Sequence, residues 1–368
     1  MNALTNIRIL DLSRLLPGPY ATQLLANLGA EVIKIERPPL GDYARALPPF
    51  MTLHADQFEG AVFAQNNQNK KSAALDFDTE RGRAILLRLC ERADVFVESF
   101  RPGALARRGL DYKTVCAHNP RIIYCSLSGY GQNGAYRDRA GHDLNYLALA
   151  GILKLNGART QSPAPLPVQV ADLAGGMNAA LQIVAALLER ERTGKGKFLD
   201  IALFDAAVEW MQSVLGANYR AEGENPQRGE LPLAGAYPCY NVYETRDAQY
   251  IALGALEPIF WKAFCVNIER ADLVDSQFDA DAIPRVAEIF RTRTRAEWIE
   301  FSQRCDCCLE PLLDVSETYA HPQVIARNLI SRDGRVPRLG EDTESVLREF
   351  GIAENEIKEL KETGAIGA

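Results

Sequence analysis

The chain has 368 residues, 47% of them hydrophobic and 24% charged, enough to bury a large core and to make two domains rather than one. Its net charge of −7 argues against general nucleic-acid or membrane-surface binding, because neither negative field favours an acidic partner. No apolar run reads as a bilayer span and the N-terminus lacks a signal-peptide pattern, so the expected setting is cytoplasmic.

The first half alternates strand and helix. Ile7 to Leu12 reads as a strand, Pro19 to Leu28 as a helix closed by Gly29, and Glu31 to Ile35 as the next strand. Ser72 to Phe77 is extended, Glu80 to Ala93 is an amphipathic helix, and Asp94 to Glu98 and Arg121 to Ser126 are further strands. This alternation implies an α/β fold with a doubly wound, mostly parallel sheet. After Asp172 the apolar residues Leu173, Met177, Leu181, Val184 and Leu188 recur at helical spacing until Gly194-Lys195-Gly196. Phe198 to Leu203 and Phe204 to Leu215 then read as strand and helix.

Residues Glu222 to Gly235 are rich in Gly, Pro and charge and mark a linker. Beyond it, Tyr240 to Thr245 and Gln249 to Leu256 read as antiparallel strands about Arg246-Asp247, followed by helices from Pro258 to about Gln303. The expected organisation is a large α/β domain over residues 1–220 and a linker with a smaller α+β domain over 221–325. A C-terminal segment, 326–368, returns to the large domain.

Eight cysteines lie mostly in apolar segments, as reduced core thiols do. Cys305-Asp306-Cys307-Cys308 lacks a second ligand pair at zinc spacing, so no metal is expected. No Walker loop and no Gly-x-Gly-x-x-Gly occupies the first strand–helix turn, where Gly18-Pro19-Tyr20 stands instead, so the sheet is not expected to serve NAD. Basic residues do gather where strands end or loops begin: Arg37, Lys70-Lys71 and Arg101. Near the carboxyl ends of strands such groups would grip a phosphorylated ligand in the sheet crevice; singly, each is equally a solvated surface charge.

Two segments carry proton-transfer chemistry. Gly141-His142-Asp143-Leu144-Asn145-Tyr146 and Val170-Ala171-Asp172-Leu173 each place a titratable group at the mouth of a helix. An imidazole and a carboxylate on opposite sides of one carbon would take a proton from one face and return it to the other. The plainer alternatives are structural. Asp143 and Asp172 would then cap helices with His142 facing solvent, and Glu257-Pro258 would be a helix start with a dipole-favoured carboxylate. His54, His118 and His321 lie in turns or loops and are assigned no chemistry.

The segments Ile9-Leu10-Asp11-Leu12-Ser13, Pro17-Gly18-Pro19-Tyr20-Ala21 and Leu28-Gly29-Ala30-Glu31-Val32-Ile33-Lys34-Ile35-Glu36-Arg37-Pro38 resemble the family III CoA-transferases (CaiB/BaiF). So do Asn69-Lys70-Lys71-Ser72, Phe100-Arg101-Pro102-Gly103, Ser128-Gly129-Tyr130-Gly131-Gln132, Arg192-Thr193-Gly194-Lys195-Gly196 and His321-Pro322-Gln323-Val324-Ile325-Ala326-Arg327. The resemblance implies an interlocked homodimer, an acyl-CoA substrate with no cofactor beyond its CoA moiety, and CoA contacts from Arg37, Lys70, Lys71 and Arg101. The racemase branch of that family is resembled most closely, through His142-Asp143-Leu144-Asn145-Tyr146, Asp172 and Glu257-Pro258-Ile259-Phe260. It implies that His142 and Asp172 are the two bases and that Glu257 orients and charges His142. The Asp143 amide would then face the enolate oxygen of a 2-methyl-branched acyl-CoA during racemisation. The alternative is a CoA-transferase in which Asp172 attacks the thioester.

Overall fold

Aliphatic runs bounded by polar residues build the first of two units, comprising Met1–Ala150, Leu166–Ser213 and Asp333–Ala368. The computed structural model describes residues 2–54, 57–220, 225–330 and 334–367. Strands β1 (Arg8–Asp11), β2 (Glu31–Glu36), β5 (Lys71–Ala74), β6 (Val95–Glu98), β7 (Ile123–Ser128) and β8 (Lys197–Ala202) form one parallel sheet in the order β5-β2-β1-β6-β7-β8. The order reverses between β1 and β6, so the loops leaving those two strands open the crevice in which such sheets bind ligands. Ile9, Leu10, Val95 and Phe96 are all fully buried, as the two-sided covering of parallel strands requires.

Helix α1 (Pro17–Asn27) starts on a proline two residues before the expected Pro19, and Gly29 past its end takes φ of +100°. Helix α2 (Glu80–Cys90) is capped by Thr79, whose hydroxyl accepts the Gly82 N–H at 3.0 Å. An antiparallel pair over Phe50–His54 and Gln57–Gly60, β3 and β4, was not expected from the proline-rich stretch before it. The helices that carry the candidate chemistry are α3 (Asp143–Leu149), α4 (Val170–Thr193) and α5 (Leu203–Trp210). Against expectation, α4 is long and apolar enough to cross a bilayer by length and composition alone, but half of that stretch is buried, against α1 and α5 among others. Two C-terminal helices, Thr343–Glu349 and Glu354–Glu362, put Val346, Leu347, Ile357 and Leu360 into the core beneath the sheet.

The second unit comprises Gly151–Pro165 and Val214–Arg332. Its strands β9 (Tyr240–Glu244), β10 (Tyr250–Gly254) and β11 (Leu309–Pro311) form an antiparallel sheet in the order β11-β10-β9. Helices α6 (Pro258–Asn267), α7 (Ile283–Phe290) and α8 (Arg295–Arg304) close an aromatic core, in which Phe290 stacks on Tyr243 and meets Trp298, each at 4.6 Å between ring centroids. Strand β11 was not expected. It follows the cysteine cluster, where the Cys308 carbonyl accepts the Gly254 N–H at 2.8 Å. Cys305 and Cys307 are buried, Cys308 is exposed, and all eight cysteines are free thiols. Residues 221–224 of the linker segment lie outside the described residues.

Candidate active site

His142 stands at the N-cap position of α3, exposed, with extended backbone. Its N–H donates to the Asn145 side-chain oxygen at 3.0 Å, and its carbonyl accepts the Asn145 N–H at 2.8 Å. Asp143 does not cap its own helix. Its carboxylate accepts the N–H of Ala171 at 2.7 Å and of Asp172 at 3.2 Å, so it caps α4 from the neighbouring chain segment. Asp172 is likewise not the cap: α4 begins three residues before the expected Leu173, and Asp172 lies in its first turn. One carboxylate thus ties the residue beside His142 to the backbone of Asp172.

The electrostatics follow from that packing. Burial, with the like charge of Asp143 second, pushes the Asp172 carboxyl up to about 7. Burial also raises Asp143, against the two backbone N–H groups that favour its charged form. A carboxyl poised near neutrality can take up and give back a proton at physiological pH.

Glycines and tyrosines hold this arrangement. A Cβ at Gly129 would sit 2.3 Å from the Tyr146 hydroxyl oxygen, and one at Gly141 would sit 2.7 Å from its ring. The ring fills that space, and its hydroxyl donates to the Gly141 carbonyl at 2.6 Å. Tyr130 packs edge-on against Tyr146 at 5.1 Å between centroids. Further along α4, a Cβ at Gly176 would lie 2.6 Å from the Pro17 carbonyl oxygen, so only glycine lets α1 and α4 approach this closely.

The basic residues separate into two groups. Arg37 follows β2 and Arg101 follows β6, both at carboxyl ends of strands. Arg37 is half-exposed and pairs with Asp76 at 3.3 Å and Asp78 at 2.6 Å. Lys70 and Lys71 correct the expectation: they lie at the amino end of β5. Lys70 is fully buried, its ammonium donating to Asp11 at 3.2 Å, Thr22 at 2.7 Å, Asn67 at 2.9 Å and the Pro19 carbonyl at 3.0 Å. It has no donor left for a phosphate. Lys71 is held by Glu31 and Glu349, each at 2.7 Å, on the amino edge of the sheet. Both lysines therefore stand at the amino end of β5, apart from the carboxyl ends of β2 and β6 that Arg37 and Arg101 follow.

Sequence reasoning missed Arg14. It leaves β1 at the reversal point, donates its N–H to the Ser99 hydroxyl at 2.9 Å, and stacks its guanidinium 4.4 Å from the Phe100 ring centroid and 4.8 Å from that of Tyr43. Its position directly after the first strand was the available signal. Glu257 belongs to the second unit, where it is the exposed N-cap residue of α6 with Pro258 in the first turn. No group of His, Cys, Asp and Glu side chains among the described residues is arranged to hold a metal ion.

A family model described as CoA-transferase family III matches residues 4–342. The human α-methylacyl-CoA racemase is 32% identical over 97% of this chain and 96% of the racemase. The succinyl-CoA:mesaconate CoA-transferase of Haloarcula marismortui is 36% identical over 86% of this chain and 78% of the transferase. Among solved structures, a CaiB/BaiF family protein from Brucella suis superposes with a TM-score of 0.83 at 29% identity, covering 95% of this chain and all of that one.

Proposed function

The chain belongs to CoA-transferase family III, and from that premise we propose that it racemises 2-methyl-branched acyl-CoA thioesters by 1,1-proton transfer through an enolate. The observation that carries this is the shared carboxylate of Asp143: it fixes the residue next to His142 to the backbone of Asp172, whose own carboxyl is poised at about 7.

In this reading the Asp172 carboxylate removes the α-proton of one enantiomer, and the electron pair of the C–H bond passes into the thioester, leaving negative charge on its oxygen. The imidazolium of His142 then gives its proton to the opposite face of the α-carbon. The other enantiomer runs the steps in reverse, and both bases re-equilibrate with solvent between turnovers. The α-proton of a thioester is weakly acidic, so the enolate oxygen needs fixed donors. The Asp143 amide, in the first turn of α3, lies at the positive dipole end of that helix. Arg37, Arg101 and Arg14, grouped on the loops that leave β2, β6 and β1, hold the phosphates of CoA, the only cofactor the reaction requires.

A transferase would use the same Asp172 differently. Its carboxylate would attack the thioester carbonyl, expel CoA as thiolate, and pass through an anhydride and an aspartyl thioester to an acceptor acid. Relatives of both kinds, at 32% and 36% identity, keep this second reading in play. His142 has no evident task in it.

The test is incubation with one enantiomer of 2-methyl-branched acyl-CoA in deuterated water, without and then with a free carboxylate acceptor. Racemisation predicts deuterium at the α-carbon without an acceptor, abolished for at least one enantiomer by His142→Ala. CoA transfer to the acceptor without α-exchange, unimpaired in His142→Ala, would establish the transferase instead.

A further inference from the structure

On one face of the sheet, Glu98, Ser126 and Asp200 lie in register across β6, β7 and β8, one row beyond the aromatic row Phe96, Tyr124 and Phe198. Glu98 is buried. One of its carboxylate oxygens accepts the Phe100 N–H at 2.7 Å and the other accepts the Ser126 hydroxyl. Ser126 in turn accepts the side-chain amide of Gln132 at 2.9 Å, and the Gln132 backbone N–H donates to Asp200 at 3.0 Å. Gln132 closes the chain by accepting, at its carbonyl, the Arg137 guanidinium at 2.9 Å. A cavity of about 240 Å³ opens against this row, walled also by Arg101, Tyr112, Lys113 and Phe198.

The two ends of this relay matter. Phe100 immediately precedes Arg101, whose carbonyl closes the following turn with the Ala104 N–H, and Gln132 lies in the loop whose Tyr130 packs on Tyr146 in the first turns of α3. We propose that Glu98 is a positioning residue whose ionised carboxylate, through Phe100 on one side and Ser126–Gln132 on the other, fixes the Arg101 turn for CoA and couples it to the loop leading to His142. This rests on the function proposed above.

Chemistry gives the coupling a direction. The ionised carboxylate accepts both hydrogen bonds; a proton on the oxygen facing Ser126 reverses that bond so that the hydroxyl accepts, a proton on the other oxygen opposes the Phe100 N–H, and either way the charge-assisted hold on both ends is lost. Burial, partly offset by Ser126 and the Phe100 N–H, and then the charge of Asp200, bring the Glu98 carboxyl up to about 7. The other charged groups facing the cavity are Arg101 from its own loop and Asp111 and Lys113 from the segment that follows; Tyr112 and Tyr124 stay neutral there. The hold on Arg101 is therefore loose below neutrality and tight above it.

The experiment is calorimetry of CoA and of dephospho-CoA from pH 6 to pH 8.5, the second ligand removing the titration of the 3′-phosphate. Wild type is expected to bind both more tightly as pH rises through about 7. Glu98→Gln, which imitates the protonated acid, should bind about three- to tenfold more weakly at pH 8 and lose that pH dependence. Ser126→Ala removes a hydrogen bond that favours the charged form, so its midpoint should move to higher pH. In turnover the effect should fall on KM for the thioester more than on kcat. If wild type binds neither ligand, the proposed function fails. If it binds both and Glu98→Gln, folded by circular dichroism, keeps the wild-type pH profile, the role of Glu98 is overturned. Should Glu98→Gln not fold, an unmoved midpoint in Ser126→Ala overturns it equally.

Discussion

At the scale of single residues, the chain accepts a cost in stability to keep a carboxyl at neutrality. Asp172 is pushed from 3.8 to about 7 by burial and by Asp143. The folded state therefore binds a proton that the unfolded state has released between those values, and stability falls as pH rises from about 4 to about 7, then levels off. The full shift is discounted because the side chain is only partly shielded from solvent, leaving on the order of 2 kcal/mol. Asp172→Asn should thus melt higher than wild type at pH 8 and gain little below pH 4, while losing α-proton exchange; differential scanning calorimetry at the two pH values reads this directly. Equal melting temperatures at pH 8 would mean that the site does not strain its carboxylate. In wild type the exchange rate with Asp172 as base should rise through about pH 7, because only the carboxylate accepts a proton.

At the scale of elements, the position of Asp172 depends on how closely α4 can lie against its neighbours. Gly175 and Gly176 follow it by one turn. An alanine at 176 brings its Cβ to 2.6 Å from the Pro17 carbonyl, which is backbone, whereas one at 175 meets the Leu203 Cδ2 at 2.4 Å, the end of a flexible side chain. Alanine is the better helix former by about 1 kcal/mol, yet overpacking costs about 1–3 kcal/mol. Gly176→Ala is therefore expected to destabilise and to lower activity more than Gly175→Ala, by chemical denaturation and by exchange assay on the two variants side by side; the reverse order would show that α1 is free to yield.

The sheet ends give a second prediction at this scale. Arg101→Glu, at the carboxyl end of β6, should weaken CoA binding strongly, while Lys71→Glu, at the amino end of β5, should leave it nearly unchanged and lose stability through Glu31 and Glu349. Calorimetry on both variants checks this, and loss of affinity in Lys71→Glu alone would place CoA at the other edge.

Helical periodicity sufficed for α4, whose apolar residues recur over several turns, and short aliphatic runs alternating with helices sufficed for the parallel strands. Such patterning did not reveal which of two adjacent lysines is buried: the partners of Lys70, Asp11 and Thr22, are far off in sequence, and Lys34 hides in the same way within Val32-Ile33-Lys34-Ile35. Nor did it reveal β11, whose three residues are too few to show alternation. The segments around His142 and Asp172 were legible as helix mouths. Their mutual tie was not, since Asp143 reaches across to a helix that begins well downstream in the chain.

At the scale of the whole molecule, the large unit carries apolar side chains that are exposed along one helix. Met177, Leu181 and Leu188 recur at helical spacing along α4 and are 51%, 69% and 67% exposed, and Trp210 at the end of α5 is 58% exposed. Scattered apolar residues are ordinary on a surface, whereas a stripe of them along one helix is what an interface would present. Two covers are conceivable, a lipid surface or a second copy. The net charge of −7 disfavours an anionic bilayer, and a second copy agrees with the homodimer we propose from the likeness to the family. An obligate dimer of this kind buries on the order of 2,000 Å² or more and has no stable folded monomer. Sedimentation of the full chain without detergent should accordingly give a single species of twice the chain mass, unchanged on dilution until the protein unfolds. Leu181→Glu should lower both the dimer fraction and the melting temperature. A folded, active monomer at working concentration would overturn the dimer, and a monomer that binds neutral lipid vesicles would assign the stripe to a membrane.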